Sequence, residues 1–360
     1  MPGRDGKSKV QREMRTLFKL SHKLIILFLT IIVFNIESCA PKQVREERFL
    51  MGTMVEIVAY GRNQEKVKKA VQDGFKEIER LEKKLTRYRA DSVIGQINQN
   101  ADKKPVKIDD EVFYLIEKSI EICKLSQGAF DITVLPLILL WNFDGENPHP
   151  PEAQTVKEKL NLVGCDKIVL DKENQTVFFT ESGVMIDLGG IAKGYGAEKV
   201  AEILKKSEAE MGIVNLGGDL RVFGGGGKGI AIGIQDPRDR SGVVAKIYLR
   251  DSAVATSGDY ERFFIYQGVR YSHIIDPRTG FPASSQGSVS VLYSDGMEAD
   301  AWATALFVLG AERGMEVLKK LKGLEAVFID ENYSYRFTSG LQGKLIWLKE
   351  ENRDVRDRDH

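Results

Sequence analysis

From residue 166 to residue 330 the chain is a succession of short β-rich runs: KIVL, TVFFT, GIVNLG, GIAIGIQ, VAKIYL, RFFIY, SVSVLY and AVFID. Only two helical stretches, near 190–206 and 298–321, interrupt them. Parallel strands need a long crossover between neighbours, whereas strands that follow one another through turns pair antiparallel. The pattern predicts an α+β fold, a largely antiparallel sheet with packed helices. GGGG at 224–227 reads as a hairpin tip, and no internal repeat is present.

The first half carries the other helices. The second half of FLMGTMVEIVAYG alternates like a strand, and residues 63–85 follow as an amphipathic helix. Its apolar positions, Val67, Ala70, Val71, Phe75, Ile78, Leu81 and Leu85, recur at helical spacing. LTRYRADSVIGQIN is a loop entering a short helix, a further helix covers roughly 110–126, and DGENPHPPEAQ is a loop. With 360 residues and 42% hydrophobic content, one catalytic domain over 49–345 is expected. It follows a charged linker at 39–48 and precedes a charged tail at 346–360.

The N-terminus reads as an export address. Arg12, Arg15, Lys19 and Lys23 precede the apolar LIILFLTIIVFNI, which is short for a membrane span. The run ends at Cys39, where a lipoprotein signal places its lipid-bearing cysteine. Ile36 and Glu37 stand where such signals usually carry leucine and a small residue. Residues 1–38 are thus expected to be a signal peptide, with the body exported, membrane-anchored through Cys39 and facing the periplasm. The remaining residues hold 45 Lys/Arg against 49 Asp/Glu, a mildly acidic body that argues against nucleic acid as a partner. Cys123 and Cys165 fit no metal spacing and are read as small core residues, since a bond between them is not legible in sequence.

Several turns carry chemistry. MIDLGGIAKGYGAEKV is strand, Gly–Gly turn and helix, with Lys193 in the first helical turn. Free N–H groups and the positive helix end make such a junction an anion site. NLGGDL puts glycines beside Asn215 and Asp219, and His273 lies in YSHIIDPRTGFP as the one imidazole in an element expected to face a pocket. In MEADAWATALFVLG, Asp300 and Thr304 stand four apart on one face of an otherwise apolar helix. A helix-dipole contact and a back-bond would explain them locally, whereas paired hard oxygens beside phosphate-friendly turns suit Mg²⁺ on a diphosphate.

These segments resemble, in order, the motifs of the FAD:protein FMN transferase (ApbE) family. They are MGTMVEI, LTRYRADSVIGQIN, GAFDITVLPL, IDLGGIAKGYGAEKV, VNLGGDL, SHIIDPRTGFP and EADAWATAL, spanning about Phe49 to Phe337. The resemblance implies an ApbE-like (T-fold-like) domain that uses Mg²⁺ to move FMN from FAD onto a threonine or serine hydroxyl, releasing AMP. It places flavin-binding positions at Met51, Tyr88, Ala129, Phe130, Asp131, Asp187, Lys193 and Ile275. It places metal ligands at Asp300, Thr304 and the carbonyl of Gly190. His273 is the candidate base. The implied partners are acceptor flavoproteins with a Ser/Thr-Gly-Ala/Ser-Thr type motif, such as membrane redox-complex subunits. Hydrolysis of FAD at the same site, or simple FAD storage by an exported lipoprotein, stays open at this point.

Overall fold

The computed structural model describes residues 40–239, 241–284 and 287–348. Cys39, the signal segment and most of the charged tail lie outside the described residues. The chain opens with β1 (Lys42–Leu50), β2 (Thr53–Gly61), α1 (Gln64–Leu85), α2 (Val93–Asn100), β3 (Val106–Lys107), α3 (Asp110–Leu125), α4 (Leu135–Trp141) and α5 (Ala153–Leu160). It continues through β4 (Ile168–Asp171), β5 (Thr176–Phe179), α6 (Ala192–Lys206), β6 (Met211–Leu216), β7 (Asp219–Phe223), β8 (Ile230–Gln235) and β9 (Val243–Leu249). It ends with β10 (Ala253–Gly258), β11 (Phe263–Tyr266), β12 (Val269–Ser272), β13 (Ser288–Tyr293), α7 (Gly296–Leu318), β14 (Glu325–Ile329), β15 (Tyr335–Phe337) and β16 (Ile346–Trp347).

The main sheet has eight strands in the order β1-β2-β6-β7-β10-β13-β14-β15, every neighbour antiparallel. Its strands therefore pair in chain order, and everything else is inserted between them. One face carries α1 and α6, whose Val67, Val71, Phe75, Ile78, Val200 and Leu204 close a core over β2 and β6. Helix α7 covers β10 and β13 on the same core as α2 and α3. A three-stranded sheet, β8-β9-β16, packs through Ile232, Ile234 and Ile247 against Val222, Val254 and Val327 of the main sheet. The α+β expectation holds, and the seven apolar positions predicted for α1 are all buried.

Three boundaries differ from the sequence reading. The charged 41–48 stretch is not a linker, because Lys42–Leu50 is an edge strand paired with β2. Its charges reach diagonally across the ladder: Arg45 Nε lies 2.6 Å from Glu56 Oε1, and charges on an edge strand also discourage edge-to-edge association. The GGGG segment is not a hairpin tip. It links β7 to β8 in a different sheet, with Gly224, Gly225 and Gly226 at positive φ. The domain also runs past 345, since β16 pairs with β9. Among the described residues no helix is long and apolar enough to cross a membrane.

Helices α6 and α7 meet at their N-termini with backbone in contact. A Cβ on Gly194 would lie 2.0 Å from the carbonyl oxygen of Gly296 and 2.7 Å from Asp300 Cβ. Gly194→Ala should therefore lower the melting temperature. Overpacking costs about 1–3 kcal/mol, which exceeds the roughly 1 kcal/mol that alanine gains over glycine in a helix. A variant as stable as the parent would show that the junction has slack.

Candidate functional site

The junction of α6 and α7 gathers the metal positions expected from sequence. The residue preceding α6, Ile191, offers no side-chain cap. Asp300 supplies the missing acceptor from the neighbouring helix, as Gly194 N–H donates to its Oδ2 at 2.9 Å. Asp300 is buried. Burial pushes its carboxyl up, while the Lys193 charge and the Gly194 and Lys193 N–H groups pull it down. One turn later, Thr304 Oγ1 lies 3.3 Å from where a Cβ on Gly190 would sit, and the Phe130 ring lies 3.2 Å from it. Gly190, Asp300 and Thr304 are thus brought together, and a side chain at 190 would crowd the hydroxyl and the ring.

Lys193 occupies the same corner, but its ammonium faces carboxylates. It pairs with Asp219 and lies 3.9 Å from Asp300 Oδ1. This contact joins IAKGYG to NLGGDL, two motifs whose relation the sequence left open. Met51 approaches from the β1–β2 turn. Met51 and Gly52 have φ of 52 and 73, the pair of positive values that a type I′ turn requires. A methionine in that conformation is held by its amide, which donates to Glu82 Oε1 at 2.8 Å. Its sulfur lies 3.9 Å from the Cβ position of Gly196 in α6.

A second wall carries alternating charge. Ser92 caps α2 by accepting the Gly95 N–H at 2.8 Å, which fixes the loop holding Arg87 and Tyr88. Asn98 on α2 makes reciprocal bonds of 2.9 and 2.7 Å with Ile186 O and N, tying that loop to Asp187. Asp187 accepts Gly189 N–H at 3.1 Å, and Arg87 Nε lies 3.2 Å from its Oδ2. Burial raises the Asp187 carboxyl, and Arg87 opposes the shift. The Arg87 guanidinium also covers the Tyr88 ring at 4.4 Å, leaving that ring 70% exposed.

Arg262, in contact with Tyr88, brings His273 to the same wall. Arg262 pairs with Asp144, and this bond raises its guanidinium. His273 Nδ1 lies 3.0 Å from the carbonyl oxygen of Arg262. A carbonyl only accepts, so Nδ1 carries the hydrogen and Nε2 keeps its lone pair. Burial, then the Arg262 charge, pulls the imidazole down to about 4, so it is neutral near pH 7. Lys193 and Asp144 also act on this ring, and Arg87 and Arg262 both act on Asp187. The positions therefore share one electrostatic neighbourhood.

Not every expected residue presents its side chain there. Ala129 and Phe130 are buried, with Phe130 against Gly190. Asp131 turns inward: its Oδ1 accepts Thr133 N–H at 2.8 Å and Thr133 Oγ1–H at 2.7 Å. Burial raises the Asp131 carboxyl, and Thr133 opposes the shift. Ile275 is buried in a satellite core with Leu137, Trp141 and Phe264. Cys123 and Cys165 are not separate small core residues but a disulfide closing a 42-residue separation. Sequence reasoning missed Arg87, Asp144 and Arg262 as site residues. Arg87 could have been found beside Tyr88, whereas Asp144 and Arg262 stand 118 residues apart and meet only in the fold.

The chain is similar to known proteins over most of its length. The ApbE family model matches residues 51–328. A FAD:protein FMN transferase of Klebsiella pneumoniae is 32% identical over 79% of this chain and 88% of its own length. That of Treponema pallidum is 32% identical over 88% of this chain and 94% of its own. The ApbE protein of Thermotoga maritima superposes with a TM-score of 0.78 at 34% identity, covering 84% of this chain and 98% of that one. The flavin transferase ApbE of Vibrio cholerae does so with a TM-score of 0.72 at 30% identity, covering 83% and 97%. On fold, motif order and similarity over most of its length, the chain belongs to the ApbE family.

Proposed function

We propose that this chain is a Mg²⁺-dependent FAD:protein FMN transferase, joining FMN to a threonine or serine hydroxyl of an acceptor protein and releasing AMP. The relatives it matches over most of its length bear that enzyme name. The observation that carries the reading is the approach of Thr304 to Gly190, one helical turn from Asp300, at the glycine-rich start of α6. One carboxylate, one hydroxyl and one carbonyl are a hard, oxygen-only donor set that fits Mg²⁺, which binds few protein ligands alongside phosphate oxygens. Mg²⁺ held there would supply positive charge against the diphosphate and the departing AMP.

The remaining residues divide the work. Transfer forms a bond between the acceptor oxygen and the FMN phosphorus, and breaks the bond from that phosphorus to the oxygen that leaves with AMP. His273 Nε2 receives the hydroxyl proton. The N–H groups opening α6, Lys193 and Arg87 supply fixed positive potential for the diphosphate. Tyr88 and Met51 offer aromatic and thioether surface for the flavin or adenine rings, while the buried Phe130 backs Gly190. The acceptor is proposed to be a flavoprotein with a Ser/Thr-Gly-Ala/Ser-Thr type motif, a class that includes membrane redox-complex subunits.

The exported, lipid-anchored location is proposed on two grounds: the N-terminal sequence, and a disulfide of the kind that persists in oxidising compartments. Because β1 begins at Lys42, a lipid on Cys39 would hold the sheet edge within roughly 10 Å of its anchor. Mass spectrometry of the mature N-terminus should find a diacylated Cys39. An unmodified chain that keeps residues 1–38 would contradict it.

Two measurements test the chemistry. Asp300→Asn keeps an oxygen to accept the Gly194 N–H but loses the charge. Transfer to an acceptor domain should fall on the order of 10²–10³-fold. Thr304→Val should cost roughly 10-fold and recover in excess Mg²⁺. A folded Asp300→Asn enzyme with the parent's Mg²⁺ response would end the metal reading, and AMP release without flavin on the acceptor would mean hydrolysis. For His273, the acid limb of kcat/KM should lie near its depressed value of about 4. At pH 5.5 an ordinary imidazole of pKa about 6.5 would be roughly nine-tenths protonated, whereas His273 stays neutral and transfer persists. Loss of activity with a midpoint near that ordinary value would exclude a desolvated His273 as the base.

A further inference from the structure

We propose that the Cys123–Cys165 disulfide, acting through Asp131 and Thr133, is a redox-sensitive clamp that positions the Phe130–Asp187 wall of the FAD site. The proposal rests on the reading of FAD as substrate. The bond joins the last turn of α3 to the 165–167 turn before β4. Between these two anchors lies a closed network. Asp131 Oδ2 sits 3.5 Å from Cys123 Sγ, and its Oδ1 takes both Thr133 hydrogen bonds. Thr133 Oγ1 in turn accepts the Gly164 N–H at 2.7 Å, next to Cys165. Gly128 N–H donates to the Cys123 carbonyl at 2.8 Å, so the 128–133 segment is fastened at both ends to backbone at or next to the bridged cysteines.

That segment touches the site at two places. Phe130 lies against Gly190, beside Thr304. Ile132 O accepts the Asp187 N–H at 2.8 Å, and Asp187 is the carboxylate that meets Arg87 and Gly189. The sulfurs themselves stay out of the FAD site, so these residues position and do not react. Cys123 is buried and Cys165 half-buried, which makes Cys165 the sulfur open to attack. A thiolate of a dithiol reductant bonds to Cys165 Sγ, the S–S bond breaks, and Cys123 leaves as a thiolate and is protonated. The second reductant thiol then displaces Cys165, so that two electrons and two protons reach the protein and the reductant becomes a disulfide. Separation of the sulfurs releases Gly164 from Thr133 and loosens the support of Phe130 and Asp187.

The test compares the whole chain oxidised, after reduction by dithiothreitol with two thiols titrated per chain, and after reoxidation. Reduction should raise the Kd for FAD, read by flavin fluorescence, and the KM for FAD, by roughly 2- to 30-fold, the range for residues that bias a site without touching its ligand. The KM for the acceptor should not move, and reoxidation should restore FAD affinity. A Cys123→Ala/Cys165→Ala double variant should show the raised Kd and ignore the reductant. A lowered melting temperature with unchanged FAD affinity would overturn the proposal, as would outright unfolding on reduction, because the bond would then serve the whole fold. An oxidised chain that does not bind FAD would contradict both this proposal and the transferase reading. Normal FAD binding without redox response contradicts this proposal alone.

Discussion

A single hydrogen bond, from Gly194 N–H to the Asp300 carboxylate, sets the geometry on which the site depends. It caps one helix with an acid from another, and it requires the two helix starts to touch through glycine backbone. A buried carboxylate with only neutral donors would be costly, so it needs further positive charge or a cation beside it. Lys193 supplies part of that compensation, divided between Asp219 and Asp300. The same corner brings the Thr304 hydroxyl to Gly190, one helical turn from Asp300.

Around this corner, charges are held by fold contacts that also tune them. Arg87 stabilises the Asp187 carboxylate against its burial, and Asp144 raises the Arg262 guanidinium. Arg262 acts twice on His273, through its carbonyl, which fixes the tautomer, and through its charge, which adds to burial in keeping the ring neutral. A base held neutral by desolvation gives up some proton affinity but stands ready across a wide pH range. Placing that histidine at the foot of the β11–β12 hairpin leaves it on an accessible element while Asp300 stays buried.

Much of this was legible in sequence where the physics is local. The α1 stripe reads directly, because burial of one helix face imposes a 3.6-residue period. The α6 and α7 starts read from glycines and from Asp300 and Thr304, residue types that an apolar helix does not otherwise need. Where partners are distant in sequence, legibility failed. An edge strand exposed on one face has no apolar alternation, so 39–48 looked like a linker, although Lys42–Leu50 pairs with β2 and Arg45 reaches Glu56. Cys123 and Cys165 depend on the packing of α3 against the 165–167 turn, and nothing in their spacing encodes it. Asp131 sits inside a family motif, yet its side chain is occupied by Thr133, a use that no motif distinguishes from ligand contact. Lys193 likewise answers to Asp219, which lies 26 residues away.

The central claim is that the α6–α7 junction is where metal and diphosphate meet. A crystal structure of the chain with Mg²⁺ and FAD tests it most directly. The account predicts an ion at about 2.0–2.1 Å from an Asp300 oxygen, Thr304 Oγ1 and the Gly190 carbonyl, with diphosphate oxygens completing an octahedron. It also predicts the AMP half of FAD on the side opposite His273. An ion bound elsewhere, with Thr304 unliganded and the flavin diphosphate away from the start of α6, would contradict it.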